Sequence, residues 1–235
     1  MIRALTLDLD DTLWAIAPVI TRAEAAQHAY LREHCPRTAE RYSIEGFRVL
    51  RETVARERHD LSHDFTEQRL IALRRALEDS GDDVAHAPHA FDTFFVQRNR
   101  VDLYDDVPDA LARLAARRPL AALTNGNADL GRVGLGTHFR FSLGAREHGA
   151  AKPEPSIFHA ACQRLGLPPR AVMHVGDDPW TDIDGAARAG LATCWINRER
   201  LPWPEALPRP DVEAHTLAEL ADHLDGHLDS RACLA

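Results

Sequence analysis

The stretch Ile2-Arg3-Ala4-Leu5-Thr6-Leu7-Asp8-Leu9-Asp10-Asp11-Thr12 decides the fold. Its apolar residues alternate up to Leu7 and then give way to acids, the pattern of a buried strand whose carboxyl end opens into a polar crevice. A first strand of this kind delivers carboxylates to a site.

Beyond it come helical patterns at about 18–34, 44–59, 65–79 and 84–100, with Pro18 in a first turn, Ser43 and Asp64 as candidate caps and Gly81 as a stop. From Pro108 onward helix and strand alternate: strands at Leu120–Thr124, Phe141–Leu143, Ala171–Val175 and Ala192–Ile196, and helices at Pro108–Arg117, near 128–135, at Ser156–Leu165, Thr181–Ala189 and Leu217–Leu224. Such alternation predicts an α/β fold, a parallel sheet covered by helices. The expected organisation is a core of residues 1–12 plus 105–235, interrupted by a helical domain over 13–104. No internal repeat breaks the pattern.

Composition narrows the function. With 235 residues, 45% of them hydrophobic, the chain can bury a core without disulfides or a structural metal. The net charge of −8 argues against a nucleic-acid partner. The first residues reach charge too early for a secretory leader and no apolar run is long enough to span a bilayer, so a cytoplasmic location and no membrane partner are expected, as a monomer or homodimer. Cys35, Cys162, Cys194 and Cys233 form no CxxC pair and read as packing or incidental thiols. His86-x-x-His89 lacks a third zinc ligand, and Gly131-x-x-Gly134-x-Gly136 is not in the dinucleotide-binding order.

Among 28 basic residues the only lysine is Lys152. Lysine is a compact point charge where arginine is a broad fork, so a site that keeps lysine points to a small cation held near an anion. Four polar clusters fall at strand ends or in the loops beyond them: Asp8-x-Asp10-x-Thr12, Thr124-Asn125-Gly126-Asn127, Lys152-Pro153, and Gly176-Asp177-Asp178 with Asp182. In an open parallel sheet such ends share one crevice. Carboxylates brought close repel by about 4 kcal/mol per pair at an effective dielectric near 20, so a cation belongs among them. Mg²⁺ suits an all-oxygen donor set and a phosphate substrate. A phosphate dianion beside ionised Asp8 and Asp177 leaves excess negative charge even with Mg²⁺ and Lys152, which favours a protonated Asp10 as leaving-group acid while Asp8 attacks phosphorus. Thr124 and Asn125 would hold the non-bridging oxygens.

Taken in order and spacing, Asp8-Leu9-Asp10-Asp11-Thr12, the Thr124 loop, Gly149-x-x-Lys152-Pro153 and Gly176-Asp177-x4-Asp182 resemble the four motifs of the haloacid dehalogenase superfamily of phosphohydrolases. The resemblance implies a Rossmann-like core with an inserted helical cap of the C1 type, and Mg²⁺ as cofactor. It implies Asp8 as nucleophile and metal ligand, Asp10 as acid/base and ligand through its backbone carbonyl, Thr124 and Lys152 on the phosphate, Asp177 completing the metal site, and Asp178 and Asp182 as supporting groups. Members that cleave carbon–halogen bonds lack the second aspartate and need no metal, so Asp10 favours a phosphatase over a 2-haloacid dehalogenase. A phosphosugar mutase would share the site, and a non-catalytic binding protein could share the fold. The segments around Leu13-Trp14, Thr124–Ala128 and His174–Asp178 further resemble bacterial phosphatases acting on FMN and 5-amino-6-(5-phosphoribitylamino)uracil. Trp14, Tyr42, Phe47 and Arg48 are candidates for a stacking face or charge toward such a substrate, against packing as the plainer reading.

Overall fold

The computed structural model describes the backbone of residues 1–232 and the side chains of residues 1–226. Cys233 lies outside the described residues. Six parallel strands form one sheet: β1 (Ala4–Leu7), β2 (Leu120–Thr124), β3 (Phe141–Gly144), β4 (Val172–Gly176), β5 (Ala192–Ile196) and β6 (Val212–Ala214), in the order β3-β2-β1-β4-β5-β6. β1, β2 and β4 are buried throughout, which is why they read as almost continuous apolar runs. The short, half-polar β6 carried no strand signal in the sequence.

By contact density the chain divides into two compact units. One comprises residues 1–15, 102–126 and 134–235, the other residues 16–101 and 127–133. In the first unit, α6 (Val107–Arg117), α8 (Ala145–His148), α9 (Pro155–Leu165), α10 (Gly185–Arg188) and α11 (Leu217–Ala232) accompany the sheet. Ile157, Phe158 and Ala161 of α9 and Ala186 of α10 share a core with Leu123, Leu143 and Val172 of the strands.

The second unit holds α1 (Ile16–His34), α2 (Pro36–Arg41), α3 (Ile44–Glu57), α4 (Phe65–Ser80), α5 (His86–Arg98) and the short α7 (Leu130–Val133). Leu31, Cys35, Phe47, Leu73, Leu77 and Ala90 form its core. The caps read from sequence are in place: Ser43 accepts from the Gly46 amide, Asp64 from that of Glu67, and Gly81 ends α4 at φ +71°. Residues 127–133, expected in the α/β core, group with these helices. Asn127 donates to Thr66 at 3.1 Å, the Asp129 amide to Asn99 at 2.7 Å, and Arg132 lies over the Phe95 ring.

The four candidate specificity residues have partners within the protein. Trp14 and Phe47 are buried, Tyr42 gives its hydroxyl to Asp79, and Arg48 donates to Glu24 at 2.8 Å. Glu24 is itself buried, and Arg51 and Arg69 also pair with it. Burial works against its charge, but the Arg48 and Arg51 hydrogen bonds outweigh that and keep its carboxyl below the ordinary range. No helix among the described residues is long and apolar enough to cross a membrane.

Candidate active site

The chain runs from β1 to β2 and β3 on one side of the sheet, then returns to β4, β5 and β6 on the other. The order therefore reverses between β1 and β4, and the carboxyl ends of those strands frame the crevice where open α/β sheets bind ligands. Leu7 pairs with Val175, and the Asp8 amide donates to the Val175 carbonyl at 2.8 Å. Asp8 thus emerges beside Gly176-Asp177.

Three carboxylates meet there. Asp8, Asp177 and Asp182 each offer an oxygen, all within 4.8 Å of one another. Lys152 reaches into the cluster with its side chain buried, its Nζ 2.5 Å from Asp8 Oδ1 and 2.6 Å from Asp182 Oδ1. Asp182 Oδ1 also meets His174 Nε2 at 3.1 Å, and its Oδ2 accepts from the Asp178 amide at 3.1 Å. His174 Nδ1 in turn meets the Thr6 hydroxyl at 2.9 Å. Asp177 accepts from the Thr12 hydroxyl at 2.8 Å, while its carbonyl accepts from the Trp195 indole at 2.7 Å.

Charge divides unevenly over this cluster. Burial opposes the charge on Asp182, yet the Lys152 ammonium and the His174 hydrogen bond outweigh it and hold the carboxyl well below the usual carboxylate range. Burial also opposes the charge on Lys152, and Asp182 and Asp8 more than offset it, so the ammonium persists. Asp8 goes the other way: burial raises it, and Asp182, Asp177 and Asp10 add repulsion that Lys152 only partly relieves. Burial and Asp182 push Asp177 up to about 7. The protein alone therefore holds too few positive charges for Asp8 and Asp177 both to ionise with ease. A divalent cation would remedy that deficit. The donors are hard carboxylate oxygens without a thiolate or imidazole among the three, which fits Mg²⁺ and its like.

The remaining predicted residues sit around this centre. Thr124 ends β2 buried, its Oγ1 accepting from the Gly126 amide at 3.0 Å while its hydroxyl proton is left to donate. Asn125 makes a reciprocal pair with the Lys152 main chain, Nδ2 to the carbonyl at 2.9 Å and Oδ1 from the amide at 2.8 Å. One of its amide hydrogens stays outside that pair. Asp10 does not join the carboxylate trio; its Oδ1 accepts from the Trp14 indole at 2.9 Å. Asp178 is a cap, accepting from the Trp180 and Thr181 amides. It starts the π-helical turn Pro179–Asp184 that carries Asp182, where the sequence pattern predicts ordinary helix.

Sequence reasoning passed over His174 and Thr6 as site residues. The available signal was that each is the one polar residue of a fully buried strand, and register pairs them. Gly176 is also demanded by the site, since a Cβ there would lie 2.3 Å from Asp182 Cγ. Gly176→Ala is expected to lower stability by about 1–3 kcal/mol through overpacking, read as a lower midpoint in denaturant with an unchanged slope. An unchanged midpoint would mean that Asp182 moves aside freely.

The chain matches the family model of haloacid dehalogenase-like hydrolases over residues 2–190. It is 36% identical over 227 residues to the 5-amino-6-(5-phospho-D-ribitylamino)uracil phosphatase YigB of Escherichia coli K12, covering 93% of this chain and 94% of that one. It is 35% identical over 220 residues to a phosphoserine phosphatase of Thermus thermophilus, covering 89% and 80%. Among solved structures, a 2-haloacid dehalogenase from Pseudomonas syringae pv. Tomato DC3000 superposes with a TM-score of 0.90 at 37% identity, covering 96% of this chain and 99% of that one.

Proposed function

The chain belongs to the haloacid dehalogenase-like hydrolases, and from that premise we propose a Mg²⁺-dependent phosphatase in which Asp8 is the nucleophile toward small phosphate monoesters. It is a hydrolase of phosphate monoesters, the activity its Escherichia coli and Thermus relatives carry in their names. The observation that carries the mechanistic reading is the meeting of Asp8, Asp177 and Asp182 around a single ammonium at the switch point of the sheet.

In the first step an Asp8 oxygen bonds to phosphorus as the ester P–O bond breaks. The bonding pair stays on the leaving oxygen, which takes a proton from Asp10. In the second step water attacks the aspartyl-phosphate at phosphorus and gives its proton to Asp10, and Asp8 departs as a carboxylate. Lys152 keeps its charge throughout and faces Asp8 and the transferring group. The Thr124 hydroxyl and the unused Asn125 hydrogen hold phosphoryl oxygens, while Asn125 also fixes where Lys152 enters. Asp8, Asp177 and the Asp10 carbonyl would hold the cation, with Asp182 as a further donor. Bound there, Mg²⁺ offsets the repulsion between the carboxylates and an incoming dianion.

The likeness to YigB supports, as substrate class, a phosphate on a polyol chain attached to a heterocycle, as in FMN or 5-amino-6-(5-phosphoribitylamino)uracil. The helical unit acts as a C1-type cap in this reading, and the enzyme works in the cytoplasm as a monomer or homodimer.

The test is hydrolysis of p-nitrophenyl phosphate with Mg²⁺ and with EDTA. Turnover that survives complete chelation would sink the metal-dependent reading. A second check needs no turnover: binding to the folded state alone raises stability by about 2.7 kcal/mol at a hundred times Kd, so Mg²⁺ is expected to raise Tm. Asp177→Asn should shrink that rise, and an equal rise in the variant would remove Asp177 from the site.

The Pseudomonas structure brings carbon–halogen cleavage forward as a second reading. A departing halide needs no proton, which leaves Asp10 without work, and the carboxylates would repel a haloacid's own carboxylate. No chloride release is expected from 2-chloropropionate. A mutase would instead return the phosphoryl group to a sugar, so release of inorganic phosphate separates the two.

A further inference from the structure

Directly after Asp10 the backbone doubles back. Asp11 adopts the left-handed conformation at φ +58°, its amide donates to the Trp14 carbonyl at 2.8 Å, and the Leu13 amide donates to the Leu9 carbonyl at 2.8 Å. Asp and Asn are the side chains that tolerate that region best, so the sequence permits the turn. It brings Trp14 alongside Asp10, where the two backbones form a bridge, and the indole N–H donates to Asp10 Oδ1 at 2.9 Å.

The indole cannot shift easily. Trp14 heads the fully buried side chains by size among the described residues. Its backbone also bridges to Leu103, and the Leu13 carbonyl accepts from the Tyr104 amide at 3.1 Å. Arg198 completes the frame, donating to the Thr12 carbonyl at 2.9 Å and 3.2 Å and to Asp106 at 2.8 Å, with its guanidinium 3.9 Å above the Tyr104 ring. A buried indole N–H must find an acceptor, and a backbone carbonyl would have served packing equally well. Here the acceptor is a carboxylate assigned to proton transfer.

We propose that Trp14 is a positioning residue for Asp10: its N–H on Oδ1 holds the Asp10 side chain in one rotamer, in the orientation that proton transfer requires. A donor fixed in a dry environment keeps the acid aligned without reorganisation during the reaction. The inference rests on the phosphatase reading and adds a residue that none of the four motif clusters supplies with a role.

The test separates leaving groups. An alkyl oxygen needs a proton as it departs, whereas p-nitrophenolate leaves without one. The measurement is kcat/KM, which reports through the first irreversible step, on p-nitrophenyl phosphate and on a primary alkyl phosphate that the wild type turns over. Trp14→Phe removes the N–H and keeps an aromatic ring. It is expected to lower kcat/KM on the alkyl phosphate by about tenfold and on p-nitrophenyl phosphate by less than about threefold. In an Asp10→Asn background Trp14→Phe should cost nothing further on the alkyl phosphate, because it acts through Asp10. Equal losses on both substrates, or losses that simply multiply in the double variant, would overturn the proposal. If Trp14→Phe does not fold, β-(3-benzothienyl)alanine at position 14 keeps the ring shape with sulfur in place of the N–H, and the same two comparisons apply. A wild type with no phosphatase activity would remove the phosphatase reading and this inference together; an active wild type without the leaving-group split removes only the inference.

Discussion

Asp8→Asn is expected to lower p-nitrophenyl phosphate turnover by at least about 10⁴-fold, since an amide oxygen is a far weaker nucleophile than a carboxylate and the intermediate cannot form. The fold should persist. Asp8 is one of two carboxylates on Lys152, and Asp182 remains at 2.6 Å to hold the ammonium. Burial and the neighbouring carboxylates already disfavour the charge on Asp8 despite Lys152, so making the position neutral removes a repulsion in the metal-free protein. Metal-free Asp8→Asn should therefore melt no lower than metal-free wild type, by calorimetry. An active Asp8→Asn protein would contradict the assignment, and an inactive but unfolded one would shift Asp8 into a structural role.

Lys152→Arg carries the second large effect, a loss of about 10²- to 10³-fold in kcat/KM. The charge is kept and the shape is not. Lys152 Nζ reaches both Asp8 and Asp182 from a side chain that is 2% exposed. A planar fork is wider than an ammonium, so it has to displace Asp182, which His174 and the Asp178 amide hold in place, or push toward Asp8. Either movement disturbs the carboxylate trio by a distance that matters to a reacting centre. Turnover within a few-fold of wild type, with stability unchanged, would show that a positive charge alone suffices there. Every other Lys/Arg position in the chain carries arginine, so the fork is the ordinary cation here and Lys152 the exception.

Much of this was legible in the sequence, for identifiable reasons. The parallel sheet showed because β1, β2 and β4 are buried on both faces and so are written in almost continuous apolar residues followed by polar ones. Asp8, Thr124 and Asp177 were visible as the polar residues at those strand ends. Lys152 was conspicuous by composition alone. The less legible features depend on through-space partners. Asp182 differs from Asp178 only by which carboxylate the π-helical turn aims at Lys152 and which it spends as a cap, and spacing does not carry that distinction. Asn125 reads from sequence as a phosphate donor alone, and its second task, the reciprocal pair with the Lys152 backbone, shows only in space. His174 is hidden among apolar neighbours, and its meaning comes from a strand pairing with Thr6 across 168 positions of sequence. Residues 127–133 group with the helices through three side-chain contacts that no periodicity encodes, and β6 is too short and half-polar to give a pattern.

The most direct test of the account is a rapid acid quench of wild-type protein with a phosphorylated substrate and Mg²⁺, followed by mass spectrometry of the proteolytic peptides. The expected result is one added phosphoryl group on the peptide holding Asp8, sensitive to hydroxylamine as an acyl phosphate is, and absent from Asp8→Asn. Steady turnover with no such adduct at any quench time, or an adduct on another residue, would contradict it.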